Sequence, residues 1–278
     1  MTAINLSIFQ GISDFVGRDQ KLTITDGSLA KRETQTTHLG RVVSWVKQHT
    51  VDHTRKTVDQ GTFRTALQNE YGKRSGSQAY QYACKACGYT DGKSHSLTAK
   101  QISAGVYFAE QRKQEAEEQN KNIIQHFIKN PDLLKSVGIA RVPGQRASIQ
   151  QLIAARHSVD FESFSEHDLT SVFKQNLRDN LTNTESAKML AFMRDFDLPL
   201  SLLPGPGNLP PVNELPEMVQ DAVKFSTMVL EHQSKNKMDA RNIGIVMAPN
   251  IAEGNNADPI RALALKTNFF NALINRAD

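Results

Sequence analysis

The stretch "SVGIARVPGQRAS", Ser136 to Ser148, sets one arginine, Arg141, between Gly138 and the pair Pro143 and Gly144. Proline fixes its own φ and restricts the residue before it, so such a loop has few conformations to lose when a partner docks. A long cation on a stiff turn can therefore be offered to negative charge held by another molecule, although a surface arginine is more often simply solvated. Further along, Lys174 and Arg178 stand four positions apart. On a helix they project about 40° apart, on one face. Phe173 and Leu177 fall on the neighbouring apolar stripe, so the spacing predicts a helix anchored by those two residues with both cations turned outward. Read by spacing alone, a Lys/Arg pair of this kind is mildly self-repelling and needs no function.

Other chemistries find little support. The chain has no G-x-x-x-x-G-K-[ST] loop, no G-x-G-x-x-G after a strand, no H-E-x-x-H and no G-x-S-x-G. It does not read as an enzyme carrying its own cofactor or nucleophile. Both cysteines, Cys84 and Cys87, lie in "CKACG", which is half of a tetrahedral zinc site or one redox pair. His95 and His126 lack the spacing that would complete a zinc site, so two free cysteines on a polar loop are expected, with no metal.

Of the 278 residues, 39% are hydrophobic and 22% charged, the balance of a folded soluble chain. No apolar run approaches the roughly 18 residues of a membrane span, and the first residues lack the basic region of a secretory signal. A cytoplasmic location is expected. Lys and Arg outnumber Asp and Glu by 33 to 29, and residues 1–118 hold 16 against 12 while residues 119–278 hold 17 against 17. That excess is too small for a nucleic-acid footprint, and suits at most a weak contact between the N-terminal part and an anionic membrane or acidic partner.

The elements that must position these side chains are helices. Residues 1–36 read as a poorly ordered leader, with weak alternation only in "KLTIT". From His38, Leu39, Val42, Val43 and Val46 follow a helical face, and Phe63, Leu67 and Tyr71 follow another that Gly72 stops. "GKRSGSQ" and "CGYTDGKSHS" read as loops. "SLTAKQISAGVYFAEQRKQEAEEQNKNIIQHFI" predicts one long helix or two in series, its charged middle a solvated face or linker. "SIQQLIAAR" offers Ser148 and Gln151 as a capping box over Ile149, Leu152 and Ile153. Leu169, Val172, Phe173 and Leu177 make the next face, and "LLPGPGNLPPVNELP" is a connector. Met218, Ala222, Phe225 and Val229 form a further core face. Asp239 is expected to cap a helix stopped by Pro249 and Asn250, and Asp258 with Pro259 opens a last helix presenting Ile260, Leu263, Phe270 and Ile274. The fold class is all-α.

"GIARVPGQRASIQQL", "HDLTSVFKQNLRDNL" and "NKMDARNIGIVMAPNI" occur in this order. Together they resemble the Rho GTPase-activating (RhoGAP) domain family over residues 119–278. The family pattern is a glycine-started segment with Arg-Val-x-Gly, a helix with Lys-x-x-x-Arg after Leu or Phe, and Asn-Lys-Met leading to Ala-Pro-Asn. The resemblance implies that Arg141 is the arginine finger, entering the active site of a bound Rho-family small GTPase. Lys174 and Arg178 would line the GTPase-binding face and help hold the finger loop, Asn250 would touch the GTPase from that face, and Asn236 would tie a loop to the core. GTP and magnesium would belong to the partner, so no cofactor is expected in this chain. The expected arrangement is a leader over 1–36, a small mainly helical domain with a targeting role over 37–115, and a RhoGAP-like domain over 116–278.

The chain departs from the family in two places. "RDNLTNTESAKML" replaces the usual Leu-Pro-x-Pro-Leu, implying a rebuilt turn, and Ala140 replaces an aromatic, implying a less packed finger loop. Two other readings stay open: a non-catalytic GTPase-binding module, and a bacterial effector acting in a host cell, with a separate targeting activity in its N-terminal region.

Overall fold

The computed structural model describes residues 22–25, 28–31, 57–58, 60–86, 97–155, 159–194, 209–252 and 258–276. The chain divides into two units, Met1–Lys113 and Gln114–Asp278. The helix expected from His38, together with Cys87 and His95, lies outside the described residues.

In the first unit the four-residue recurrence of Phe63, Leu67 and Tyr71 places all three inside, on helix α1 (Gln60–Tyr71). Gly72, at φ 82°, ends it in the left-handed conformation that glycine adopts without a steric penalty. Helix α2 (Lys73–Ala86) begins at once. The loop expected at "GKRSGSQ" is therefore helix. Its small residues serve packing: a Cβ on Gly76 would collide with the Leu67 backbone, and Gln68 Nε2 donates to Ser77 Oγ at 2.8 Å. Cys84 is likewise not on a polar loop but buried on α2, beside Phe63, Ala79 and Val106.

Two short antiparallel pairs accompany these helices. Strand β1 (Leu22–Thr25) pairs with β2 (Ser28–Lys31), Leu22 opposite Lys31, so the weak alternation of "KLTIT" does form strand within the expected leader. Strand β3 (Thr57–Val58) pairs with β4 (Leu97–Thr98). Helix α3 (Ala99–Lys129) is one continuous helix, and the boundary between the units falls within it.

The second unit is all helical among its described residues. After the C-terminal part of α3 come a 3-10 turn (Pro131–Lys135), the arginine loop, α4 (Arg146–Ala155), a 3-10 turn (Phe161–Ser163) and α5 (Glu166–Asn180). Then follow α6 (Asn183–Met193), α7 (Glu217–Glu231), α8 (Gln233–Asn236), α9 (Ala240–Met247), a 3-10 turn (Ala248–Asn250) and α10 (Pro259–Ile274). The expected faces of α5 and α7 are buried in full, including Leu169, Val172, Phe173, Leu177, Met218, Ala222, Phe225 and Val229. At the centre the Phe225 ring lies 5.1 Å from Phe173 and 5.5 Å from Phe127, within the range of favourable aromatic contact.

Three helix details differ from the sequence reading. Helix α4 starts at Arg146, so Ser148 lies inside its first turn instead of capping it; the start is held by groups on α5, described below. On α10, Phe270 and Ile274 are buried, but Ile260 is 83% and Leu263 43% exposed. The core side of that helix is carried by Phe269, Phe270, Leu273 and Ile274 near its C-terminal end. Finally, the charged middle of α3 is not wholly solvated. Gln119 and Asn120 are buried, where Asn176 Nδ2 of α5 donates to Gln119 Oε1 at 2.8 Å and Asn120 Oδ1 at 3.1 Å, and Gln119 Nε2 donates to the Leu152 carbonyl at 2.9 Å. Such a network is tolerated inside because each group finds partners. It fixes α3, α4 and α5 around the loop that carries Arg141.

Candidate functional site

The loop from Ser136 to Gln145 is held along its length. At its entry the Gly138 N–H donates to the Asn236 carbonyl at 2.8 Å. Asn236 itself is fully buried and has no freedom to shift: its Nδ2 donates to the carbonyls of Leu134 at 2.9 Å and Val229 at 2.8 Å, and its Oδ1 accepts from Met238 N–H at 2.8 Å. The expectation that Asn236 ties a loop to the core is met, and the loop is this one. The Ser136 hydroxyl adds a hydrogen bond to the Glu166 carboxylate.

The backbone then turns tightly, with the N–H groups of Arg141 and Val142 both donating to the Gly138 carbonyl, at 2.9 and 2.8 Å. This requires positive φ twice, 72° at Gly138 and 63° at Ala140. For alanine the left-handed region costs about 1–2 kcal/mol, which the surrounding bonds must offset. Ala140 is 1% exposed and part of the core. The expectation of a poorly packed loop at this position is thus corrected: its methyl is enclosed, and hydrogen bonds fix the turn where an aromatic is absent.

Arg141 is exposed. Its side chain passes over Gly138, where an added Cβ would lie 3.9 Å from Nε and 4.0 Å from Nη2. Lys174 does not point freely outward. It reaches in to donate to the Ala140 carbonyl, one residue before the arginine. Burial, and then the neighbouring Arg178 charge, depress its pKa. Arg178, one turn further along α5, remains 46% exposed, with Nε donating to Asp179 Oδ1 at 3.2 Å. Asn250, expected to touch the GTPase, turns its side-chain amide back toward its own helix. It is 9% exposed, and its Nδ2 donates back to the carbonyls of Val246 at 3.0 Å and Met247 at 3.3 Å. The 3-10 turn that carries it packs against α5.

The exit of the loop uses residues that the sequence reading passed over. Gly144 N–H donates to Ser171 Oγ at 2.9 Å, and Gln145 N–H to Asp168 Oδ1 at 2.6 Å. The other oxygen of Asp168 accepts from Ser165 N–H at 3.1 Å and from its hydroxyl at 2.7 Å, and Asp168 N–H donates back to Ser165 Oγ at 3.2 Å, which completes the capping box of α5. The pattern Ser-x-x-Asp before an apolar run was a readable sign of that helix start. Its second duty toward Gln145 had no local sign. Gly144 is required here because a Cβ would sit 2.6 Å from Asp168 Cα and 2.8 Å from the His167 carbonyl oxygen.

The rebuilt turn after α5 is short. Thr182 and Glu185 form a capping box that starts α6 directly. Among the described residues, no group of three or more His, Cys, Asp or Glu is placed to hold a metal ion, and no helix is long and apolar enough to cross a membrane.

What results is an all-helical domain that presents one arginine on a braced loop, beside a helix carrying two more cations. No family model matches the chain. Over 132 residues it is 26% identical to Rho GTPase-activating protein 18 of Mus musculus, covering 42% of this chain and 20% of that protein. Over 136 residues it is 25% identical to Rho GTPase-activating protein gacA of Dictyostelium discoideum, covering 48% of this chain and 39% of the other. The chain thus spans well under half the length of the curated relatives it matches. Among solved structures it is similar to human Rho GTPase activating protein 15, with TM-score 0.44 and 19% identity over 56% of this chain and 79% of that one. The BH domain from GRAF, the GTPase regulator associated with focal adhesion kinase, gives TM-score 0.47 and 17% identity, over 58% and 91%. The chain carries a RhoGAP-like domain.

Proposed function

We propose that this domain accelerates GTP hydrolysis by a Rho-family small GTPase, with Arg141 as the catalytic residue supplied in trans. A small GTPase already holds nucleotide and magnesium and lacks a cation at the phosphoryl oxygens, where negative charge builds as GTP is hydrolysed. An arginine brought from outside fills that need and is worth about 10³- to 10⁵-fold in rate, or roughly 4–7 kcal/mol. The observation that carries this reading is the contrast within one loop. Arg141 is exposed while the residue before it is buried, strained and fastened through its carbonyl to Lys174. A solvated surface arginine needs no such bracing, whereas a residue that must meet a transition state gains from being positioned beforehand. Lys174 acts chiefly by holding the loop, Arg178 meets acidic surface on the GTPase, and Asn250 completes the face from the turn after α9.

The test is GTP hydrolysis by Rho, Rac and Cdc42 with wild type and with Arg141→Ala. The variant is expected to lose at least about 100-fold of the acceleration while still binding the GTP-loaded partner. Equal acceleration by both proteins would refute the assignment. Binding with no acceleration by either would make the domain a non-catalytic module.

A further inference from the structure

From the exit side of the loop we infer that Asp168, with Ser171 beside it, is a positioning residue for Arg141; this rests on the function proposed above. Asp168 is 4% exposed, and its two oxygens serve two different ends. Oδ2 closes the capping box of α5 through Ser165, whereas Oδ1 accepts the Gln145 N–H at 2.6 Å, at the point where the loop becomes α4. A carboxylate there gives a partner to an amide that has none within the helix it opens. Ser171, one turn on, takes the preceding N–H of Gly144 at 2.9 Å. Glycine at 144 lets the chain come close enough for both bonds.

Four groups on one helix, Glu166, Asp168, Ser171 and Lys174, thus grip the loop at its start, its exit and its middle. Only four peptide bonds separate Arg141 from Gln145, and Pro143 removes one freely rotating φ between them. Releasing the exit therefore frees Arg141 even though Lys174 still holds Ala140. A misplacement of about 1 Å at a reacting group costs on the order of 100-fold in rate. Because Asp168 is buried and both its oxygens are taken up within the chain, its loss should fall on the rate at saturation and not on affinity.

The experiment compares Asp168→Ala, Ser171→Ala and Ser165→Ala in the full chain, each alone and combined with Arg141→Ala. Hydrolysis by a GTP-loaded Rho-family GTPase is followed as the activator is raised to saturation. Asp168→Ala is expected to lower the maximal rate about 10- to 100-fold with the half-saturating concentration nearly unchanged, and Ser171→Ala to act in the same direction less strongly. Ser165→Ala removes the cap hydroxyl and leaves the Gln145 bond, so it should lower the melting temperature without lowering the maximal rate. In the Arg141→Ala background, Asp168→Ala should take nothing further. An equal rate loss in Ser165→Ala, a loss that persists without Arg141, or an unchanged maximal rate in both Asp168→Ala and Ser171→Ala would overturn the inference. If Asp168→Ala does not fold, Ser171→Ala decides.

Amide hydrogen exchange reads the clamp without any activity. Protection of Gly144 and Gln145 in wild type, lost in Asp168→Ala while α7 stays protected, is the expected result, and unchanged protection would refute the clamp. A wild type that accelerates no GTPase would instead refute the proposed function, leaving the exchange result to decide the clamp.

Discussion

Replacing Asp221 by asparagine should make the protein more stable at neutral pH, and the gain should vanish in acid. Asp221 lies on α7, and its Oδ2 is buried without a hydrogen-bond partner. The Lys121 ammonium, whose charge acts on it, is committed to Glu217. Burial pushes the Asp221 carboxyl from 3.8 up to about 6, with Lys121 and Lys224 pulling it down and Glu217 pushing it up. A rise of that size corresponds to roughly 3 kcal/mol at about 1.36 kcal/mol per pKa unit. Partial access to water reduces this to roughly 1–1.5 kcal/mol. The sign follows from the folded state binding the proton more tightly than the unfolded one. The stabilising contribution of the protonated acid is complete below about pH 4 and is lost as pH rises through about 6. Asparagine cannot ionise, so Asp221→Asn should exceed wild type by roughly 1–1.5 kcal/mol at pH 7.5, or about 2–6 °C in melting temperature. The gap should close as pH falls toward 4. Thermal unfolding of the two proteins across that range is the measurement. A variant no more stable than wild type at pH 7.5, or a gap that stays constant with pH, would show that Asp221 is not an unpaired buried carboxylate.

Asn236→Ala should cost about 3 kcal/mol or more in denaturant unfolding, because the side chain makes three buried hydrogen bonds and leaves their partners unpaired; hydrolysis assays on the surviving fold should also show a weakened finger. Gly144→Ala forces a methyl onto the α5 backbone and should reduce GTPase activation by at least about 10-fold, with circular dichroism little changed. Phe270→Ala should destabilise by about 3–5 kcal/mol, whereas Ile260→Ser should stay within about 0.5 kcal/mol; equal losses would mean that the start of α10 is covered in solution. Lys174→Met removes the donor to the Ala140 carbonyl and should lower the maximal hydrolysis rate more than Arg178→Ala does, while Arg178→Ala should mainly raise the half-saturating concentration.

The division between what was legible in the sequence and what was not follows interaction range. Helix faces such as Leu169–Val172–Phe173–Leu177 were legible because a 3.6-residue period is a local property, and the caps at Asp239 and Asp258 because a side chain bonds an amide two or three residues away. The role of Arg141 was suggested by three ordered motifs, whose spacing survives in one dimension. The face of α10 was misread because Ile260 and Leu263 fit the period of an apolar stripe, but the helix is covered only toward its other end. Periodicity says which side is apolar and says nothing about where a neighbouring helix stops.

What tertiary structure alone decided is the bracing of the loop. Asn236 reaches back 102 residues to the Leu134 carbonyl, Lys174 reaches back 34 to Ala140, and Asp168 reaches back 23 to Gln145. None of these pairs has a sequence period, because each depends on two helices converging on one turn. Set against the family pattern, Ala140 looked like a gap. Only its fold-imposed left-handed backbone and its burial reveal a strained and enclosed position. The sequence by itself determined that an arginine would stand on a stiff loop in an all-helical domain. Packing determined how firmly that loop is held, since a hydrogen bond between distant residues exists only after the core has brought them together.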